Sequence, residues 1–404
     1  MRCNKSTIGS HKMTTRPFST RDTSKREIAY LSTYPPRECG IATFTKGLIG
    51  AVDRLDEFEL AIVVAVNEKD TIYNYDKRVK CQIERDSVED YIRAADYINS
   101  SKADLVNLQH EFGLFGGEWG NYINSFLERV QKPIVTTLHT IEPNFGSKAQ
   151  TVLDTIASRS AAIAVMAKTA QRILAGYGVP NKKISVIQHG CPDVSFVVSE
   201  DVKALLGLKD RIILSTFGLI SRGKGIEYAI RALPSVVAKE PRVTYLIIGE
   251  THPEVRKAEG ERYRIKLMRL VNDLGLSGHV KFHNRFLSKR ELIRYLQATD
   301  IYVTPYVSPY QTSSGTLVTA LGTGKAIVST PYLHAKEALA NGRGLFCRFK
   351  DSSSIAECIV RLLDEKLRRK MEKRAYKYSR GFVWLKVAKR YAELFSRTII
   401  KNKV

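Results

Sequence analysis

The chain has 404 residues, 44% of them hydrophobic, with 64 Lys and Arg against 41 Asp and Glu and a formal charge of +23. That length admits two domains with separate cores, and the apolar content is that of a globular protein. No apolar run approaches the roughly 20 residues that span a bilayer, so a membrane-spanning helix is excluded and any membrane contact is peripheral.

Residues 1–26 hold seven Lys and Arg against Asp22 alone, and residues 366–404 hold fourteen against Glu372 and Glu393. Basic ends favour anionic partners such as phospholipid surfaces, nucleic acids or sugar phosphates, or form a solvated surface. The first 26 residues lack the apolar core of a secretory signal and read as a disordered tail, with a superficial likeness to a transit peptide. Six cysteines (Cys3, Cys39, Cys81, Cys191, Cys347, Cys358) show no C-x-x-C spacing. This argues against a zinc site or disulfide framework and for a reducing, cytoplasmic compartment.

In chain order, the run at 28–32 predicts a strand, followed by a loop through Cys39 and Gly40 and a helix over 41–55. Gly40 at the helix entrance lets backbone approach a ligand, or serves only the turn. Strands are expected at 60–66, 79–83, 103–108, 133–138, 161–166 and 184–187, with a helix over 88–98. The strand ends deliver His110 with Glu111, His139 and His189, and a glycine-rich turn follows at 113–117. One strand-end histidine is usually structural, but three at one edge suggest a lined cleft.

The pattern lapses into a polar connection at 192–201. A second series then sets strands at 212–216, 244–248, 280–283, 301–304, 326–329 and 344–347. Helices are expected over 226–237, 258–274, 289–298 and 316–321, and closing helices over 354–363, 365–378 and 384–396. The expected fold is α/β, two doubly wound Rossmann-like domains facing across a cleft, with a C-terminal helix crossing back. The domain boundaries are 1–26 for the tail, 27–195, 196–380, and 381–404 for the helix.

Two stretches carry chemistry. Gly218-Leu-Ile-Ser-Arg-Gly-Lys-Gly225 has nearly Walker A spacing, but Gly225 lacks the hydroxyl that would ligate magnesium, so a P-loop NTPase is disfavoured. What remains is a glycine-flexible loop with Arg222 and Lys224 before a helix N-terminus, suited to a diphosphate, or else a solvated basic turn. Residues 302–331 read as strand, loop, helix and strand, with Gly315 and Thr316 opening the helix. No D-x-D string occurs, so cations and helix N-termini would have to neutralise a diphosphate; the expected site uses no metal and no cofactor.

The strings GIATFT from Gly40, QHEFGLFGG from Gln109, TLHT from Thr137 and QTSSGTLVTALGTGKAIVSTPY from Gln311 resemble the family 4 retaining glycosyltransferases of GT-B fold, above all a prokaryotic subgroup. The likeness runs from about Glu27 to Ser396. Two departures stand out: Gln311 and Thr319 occupy the positions of the family's E-x7-E pair, and Leu219 replaces an arginine that Arg222 could supply from three residues on. The resemblance implies transfer of a hexosyl group, mannosyl or glucosyl, from a nucleoside diphosphate sugar to a glycan or lipid-linked acceptor with retention. It implies Arg222, Lys224, Gly315 and Thr316 on the diphosphate and His139 and Gln311 on the donor sugar. Gly40 would close over that sugar, Glu111 would face the acceptor or serve only the turn, and Phe286 would lie near the nucleoside. The basic ends add to the cytoplasmic expectation a peripheral association with an anionic membrane at its inner face. The missing carboxylates motivate an alternative, a non-catalytic sugar-nucleotide or glycan-binding protein. Nucleic-acid binding through the basic ends is disfavoured by the lack of interleaved aromatics.

Overall fold

Short β-branched runs, spaced by amphipathic helices, build two parallel sheets in the computed structural model, which describes residues 25–403. The expected disordered tail lies, but for its last two residues, outside the described residues; Arg26 already bridges to Phe58. The first sheet comprises β1 (Ile28–Ser32), β2 (Ile62–Asn67), β3 (Val79–Glu84), β4 (Leu105–His110), β5 (Ile134–Leu138), β6 (Ala162–Val165) and β7 (Ile184–Val186). Its order is β3-β2-β1-β4-β5-β6-β7. The second comprises β8 (Ile212–Phe217), β9 (Val243–Ile248), β10 (Val280–His283), β11 (Ile301–Thr304), β12 (Ala326–Ser329) and β13 (Leu345–Phe346), in the order β10-β9-β8-β11-β12-β13.

Strands β1, β2, β4, β5 and β6 are buried along their whole length, as befits parallel strands covered on both faces, whereas the edge strand β3 is mostly part-exposed. Strand order reverses between β1 and β4 and again between β8 and β11. These are the points where loops at the carboxyl edge part and leave a crevice.

The closing helix Trp384–Lys403 belongs to the first domain's core, not the second's. Phe395 meets Tyr30 and Phe58 edge-on, and Tyr391 shares a hydrogen bond of 3.1 Å with Thr137 on β5. Gly47 makes room for it, since a Cβ there would stand 2.7 Å from the Trp384 indole. The two crossings between domains run side by side. Cys191 N–H donates to Phe382 O at 2.9 Å, and Arg380 donates to Gly322 O at 2.7 Å.

The helix expected over 258–274 is two helices, Pro253–Glu259 and Arg262–Asp273. Gly260, in the left-handed region at φ +61, breaks the run and turns the chain between them.

Candidate functional site

The loops after β8 and β11, at the second sheet's reversal point, meet. After β8, Gly218 adopts φ +116, a region open mainly to glycine, and a Cβ there would stand 3.2 Å from the Thr316 methyl and 3.3 Å from Lys224 Nζ. The glycine therefore lets the β8 loop lie against both the lysine and the start of the Gly315–Gly322 helix. Lys224 Nζ donates to Tyr306 Oη at 3.0 Å and lies 4.6 Å from that ring's centroid. Tyr306 Oη and Thr316 Oγ1 are 2.7 Å apart. Burial pushes the Tyr306 phenol up, but the Lys224 charge and the bonds from Lys224, Thr316 and Ser314 outweigh it, and the phenol titrates below its ordinary value.

Ser314 caps the helix by accepting from Leu317 N–H at 3.3 Å. The N–H groups of Gly315 and Thr316 precede that bond and have no intrahelical acceptor, so they are available to an anion at the positive end of the helix. Lys224, Gly315 and Thr316 are thus brought together as the sequence suggests. Arg222 is not: it pairs with Glu259 at 2.7 Å and lies over the Tyr263 ring, pointing along the outside of the loop. Tyr306 was not among the expected site residues, although its place two residues past β11 puts it at the same edge.

The first domain closes the other side. His139 is buried, and its Nε2 lies 2.8 Å from Gln109 Oε1. Gln109 Nε2 donates to Asn107 Oδ1 at 2.6 Å, so its oxygen faces the histidine and Nε2 carries the proton. Nδ1 is then left as an acceptor with no hydrogen-bond partner among the described residues. Burial, aided by the rings of His189 and His110, depresses His139 to about 3, so the imidazole is neutral. His189 is depressed to about 4 by burial, which its bond to Gly190 O only partly offsets. A Cβ on Gly315 would come 2.8 Å from His189 Nε2, so glycine is what lets the helix start touch this ring. Phe44, on the Gly40–Val52 helix, packs edge-on against both His139 and His189 with centroids 4.9 Å away. Gly40 opens that helix, exposed, with open space where a Cβ would stand.

Hydrogen bonds and ion pairs tie the domains across the cleft. Ser313 Oγ donates to His139 O at 2.6 Å, and Ile141 N–H donates to Thr312 Oγ1 at 3.1 Å. Glu337 caps the Lys168–Gly176 helix, accepting from Lys168 N–H and Thr169 N–H at 3.1 Å each. Lys257 Nζ lies 2.6 Å from Glu68, which Arg37 also approaches at 3.4 Å. Gln311 turns its amide onto Ser313 O at 2.8 Å and keeps Oε1 as an acceptor. Thr319 donates to Gly315 O at 2.7 Å inside the helix.

Glu111 accepts from Thr140 Oγ1 and from Phe112 N–H, and burial raises its carboxyl although the Thr140 bond opposes this. It lines a cavity of about 620 Å³ beneath the glycine-rich turn, which Glu254 of the second domain also borders. Phe286 is 44% exposed beyond β10, its N–H donating to Glu250 at 3.3 Å, well outside the Lys224 cluster's contacts.

The family described as Glycosyl transferases group 1 matches residues 210–365, the greater part of the second domain. An uncharacterized glycosyltransferase of Methanocaldococcus jannaschii is 25% identical over 322 residues, 75% of this chain and 78% of its own. A GDP-mannose-dependent monoacylated alpha-(1-6)-phosphatidylinositol monomannoside mannosyltransferase of Corynebacterium glutamicum is 30% identical over 175 residues, 41% of each chain. The structure of Anabaena HepE in complex with UDP and glucose superposes with a TM-score of 0.71 at 16% identity, covering 92% of this chain and 100% of that one, and shares the fold.

Proposed function

We infer that the chain is a glycosyltransferase of group 1 with the GT-B fold, drawing on a nucleotide-sugar donor. The observation that carries this reading is the convergence of Gly218, Lys224, Tyr306 and the Gly315–Thr316 helix start at the strand-order reversal of the matched domain. A nucleoside diphosphate laid there would meet the Lys224 ammonium, two free N–H groups and the Thr316 hydroxyl. Fixed charge of this kind lowers the barrier to sugar departure, because the diphosphate gains charge as the glycosidic bond lengthens. The protein needs no metal in this scheme.

His139 and Gln311 take the donor sugar. Neutral His139 offers Nδ1, and Gln311 offers Oε1, each able to accept from a sugar hydroxyl. The departing sugar resembles an oxocarbenium ion, and uncharged acceptors nearby orient it without collapsing onto it. Retention at the anomeric carbon, a hexosyl donor and a glycan or lipid-linked acceptor complete the proposal. The relative from Corynebacterium glutamicum, by name a GDP-mannose enzyme acting on a phosphatidylinositol mannoside, supports mannosyl transfer. Anabaena HepE, held with UDP and glucose, supports glucosyl transfer. No helix among the described residues is long and apolar enough to cross a membrane, so a lipid-linked acceptor would be met at the surface, through the basic ends.

Turnover tests this. The protein is incubated with UDP-glucose, GDP-mannose and their analogues with simple glycosides, and the anomeric protons are followed by NMR. An α-linked product or slow release of the α-sugar is expected; nucleotide-sugar binding with neither transfer nor hydrolysis would establish the non-catalytic alternative instead.

A further inference from the structure

The turn after β4 is built to hold one aromatic ring in the open. Trp119 sits at φ +55, in the left-handed region that costs a bulky residue, and its side chain is still 48% exposed. The turn around it packs too closely to admit side chains at its glycines. A Cβ on Gly116 would meet Arg85 O at 2.1 Å, one on Gly117 would meet the Asn121 side chain at 2.0 Å, and one on Gly120 would meet Phe112 O at 2.6 Å. Phe112 braces the indole edge-on, with centroids 5.8 Å apart, and Phe145 braces Phe112 at 5.0 Å. A strained, glycine-locked turn that spends its conformational freedom on exposing a tryptophan has no use in the core of the fold.

The indole lines the cavity of about 620 Å³ that Glu111 and Thr140 also reach. On a chain of charge +23, this lining is acidic: Asp86, Glu111, Glu142 and Glu254 stand against Arg85 alone, and Arg85 is spent on Asp86 at 3.3 Å. A phosphate or other anion is repelled from such a lining, whereas carboxylates suit hydroxyl groups as acceptors. An aromatic face beside hydrogen-bond acceptors suits the C–H face of a pyranose.

We propose that this cavity is the acceptor subsite, that Trp119 is the platform on which an uncharged sugar ring of the acceptor stacks, and that Glu111 accepts from that ring's hydroxyl. This rests on the glycosyltransferase reading and narrows it: any phosphate or lipid of the acceptor stays outside the cavity, and the ring inside it is neutral.

Saturation-transfer NMR on the full chain with UDP or GDP present, using methyl α-glucopyranoside, methyl α-mannopyranoside and glucose 6-phosphate as probes, tests this. One neutral glycoside is expected to show transfer at its ring protons and to quench tryptophan fluorescence. Glucose 6-phosphate should bind at least about tenfold more weakly. Trp119→Gly removes the ring while relieving the backbone, so melting should not fall, yet glycoside affinity should drop at least tenfold; Trp119→Phe should restore part of it. Wild-type binding unchanged by Trp119→Gly, or preference for glucose 6-phosphate, overturns the proposal. In the same samples a nucleotide-dependent melting shift without glycoside binding refutes this subsite alone, while the absence of any nucleotide effect refutes the glycosyltransferase reading beneath it.

Discussion

Replacing Lys224 by alanine separates charge from architecture. The ammonium lies 3.0 Å from Tyr306 Oη and 4.6 Å from the ring centroid, on a loop rather than in the core. Its structural worth is a cation–π contact and one hydrogen bond, about 0.5–1 kcal/mol, so melting should fall by no more than about 4 °C. On the proposed diphosphate contact its catalytic worth is larger. A preorganised donor aimed at developing charge contributes about 10²–10³ in kcat, or about 2.7–4 kcal/mol. Lys224→Ala should therefore cut kcat/KM for a nucleotide sugar by at least about a hundredfold. Lys224→Arg should recover part of the loss. The assay is steady-state release of nucleoside diphosphate, with melting measured in parallel. Activity within threefold of wild type at unchanged stability would refute the diphosphate assignment and with it the role of the β8 loop.

Other outcomes follow from the same contacts. Three buried histidines, His110, His139 and His334, and the part-buried His189 are depressed to about 3, 3, 4 and 4 respectively, by desolvation. Their stabilising contribution is complete above the unfolded value of about 6.5 and is lost as pH falls toward the folded values, on the order of 2 kcal/mol per ring by pH 5. The urea midpoint should drop between pH 7 and pH 5, and a midpoint that rises would contradict this. His110 is stacked on Phe115 with neither ring nitrogen bonded among the described residues, so His110→Phe should flatten the dependence. Gly190→Ala would bring a Cβ to 2.3 Å from the Trp384 ring, and the overpacking should cost about 1–3 kcal/mol, read as a lower melting temperature. Glu337→Gln weakens the cap on the Lys168–Gly176 helix; small-angle scattering should show a wider particle and kinetics a raised KM, and an unchanged scattering profile would show that this tie does not hold the domains together.

Buried strands were the legible part of the fold because parallel strands covered on both faces read as continuous apolar runs. β1, β10, β11 and β12 fall at the expected residues, and so do the helices Ile226–Val237 and Lys289–Ala298. The closing helix was expected to cross back, and it does, filling the first domain's core with Tyr391 and Phe395. The helices Ser147–Arg159 and Lys168–Gly176 were not foreseen: neither is preceded by a residue whose own side chain caps its first turn, although Ala149, Val152, Leu153, Ile156 and Ala157 fall at helical spacing. In the candidate site, Lys224, Gly315 and Thr316 were grouped by the family resemblance, after loop chemistry had marked each loop as suited to an anion. Tyr306 was not, because a tyrosine after a buried strand looks like core until Lys224 and Thr316 are seen on its hydroxyl. Glu337 was equally hidden, since its partners lie 169 and 168 residues away and only the closed cleft brings them together. Arg222 shows the opposite case, a cation at the right spacing that Glu259, 37 residues on, holds away from the cradle.

The cleft between the two sheets is proposed to bind a nucleoside diphosphate sugar through Lys224 and the Gly315–Thr316 helix start. Thermal-shift titration of wild type and Lys224→Ala with UDP, GDP, ADP and their glucose and mannose conjugates tests it directly, because a ligand at a hundred times its Kd stabilises the native state by about 2.7 kcal/mol. A concentration-dependent rise with one nucleotide series, largely lost in the variant, is expected. No rise beyond that given by inorganic phosphate, or an equal rise in both proteins, would contradict it.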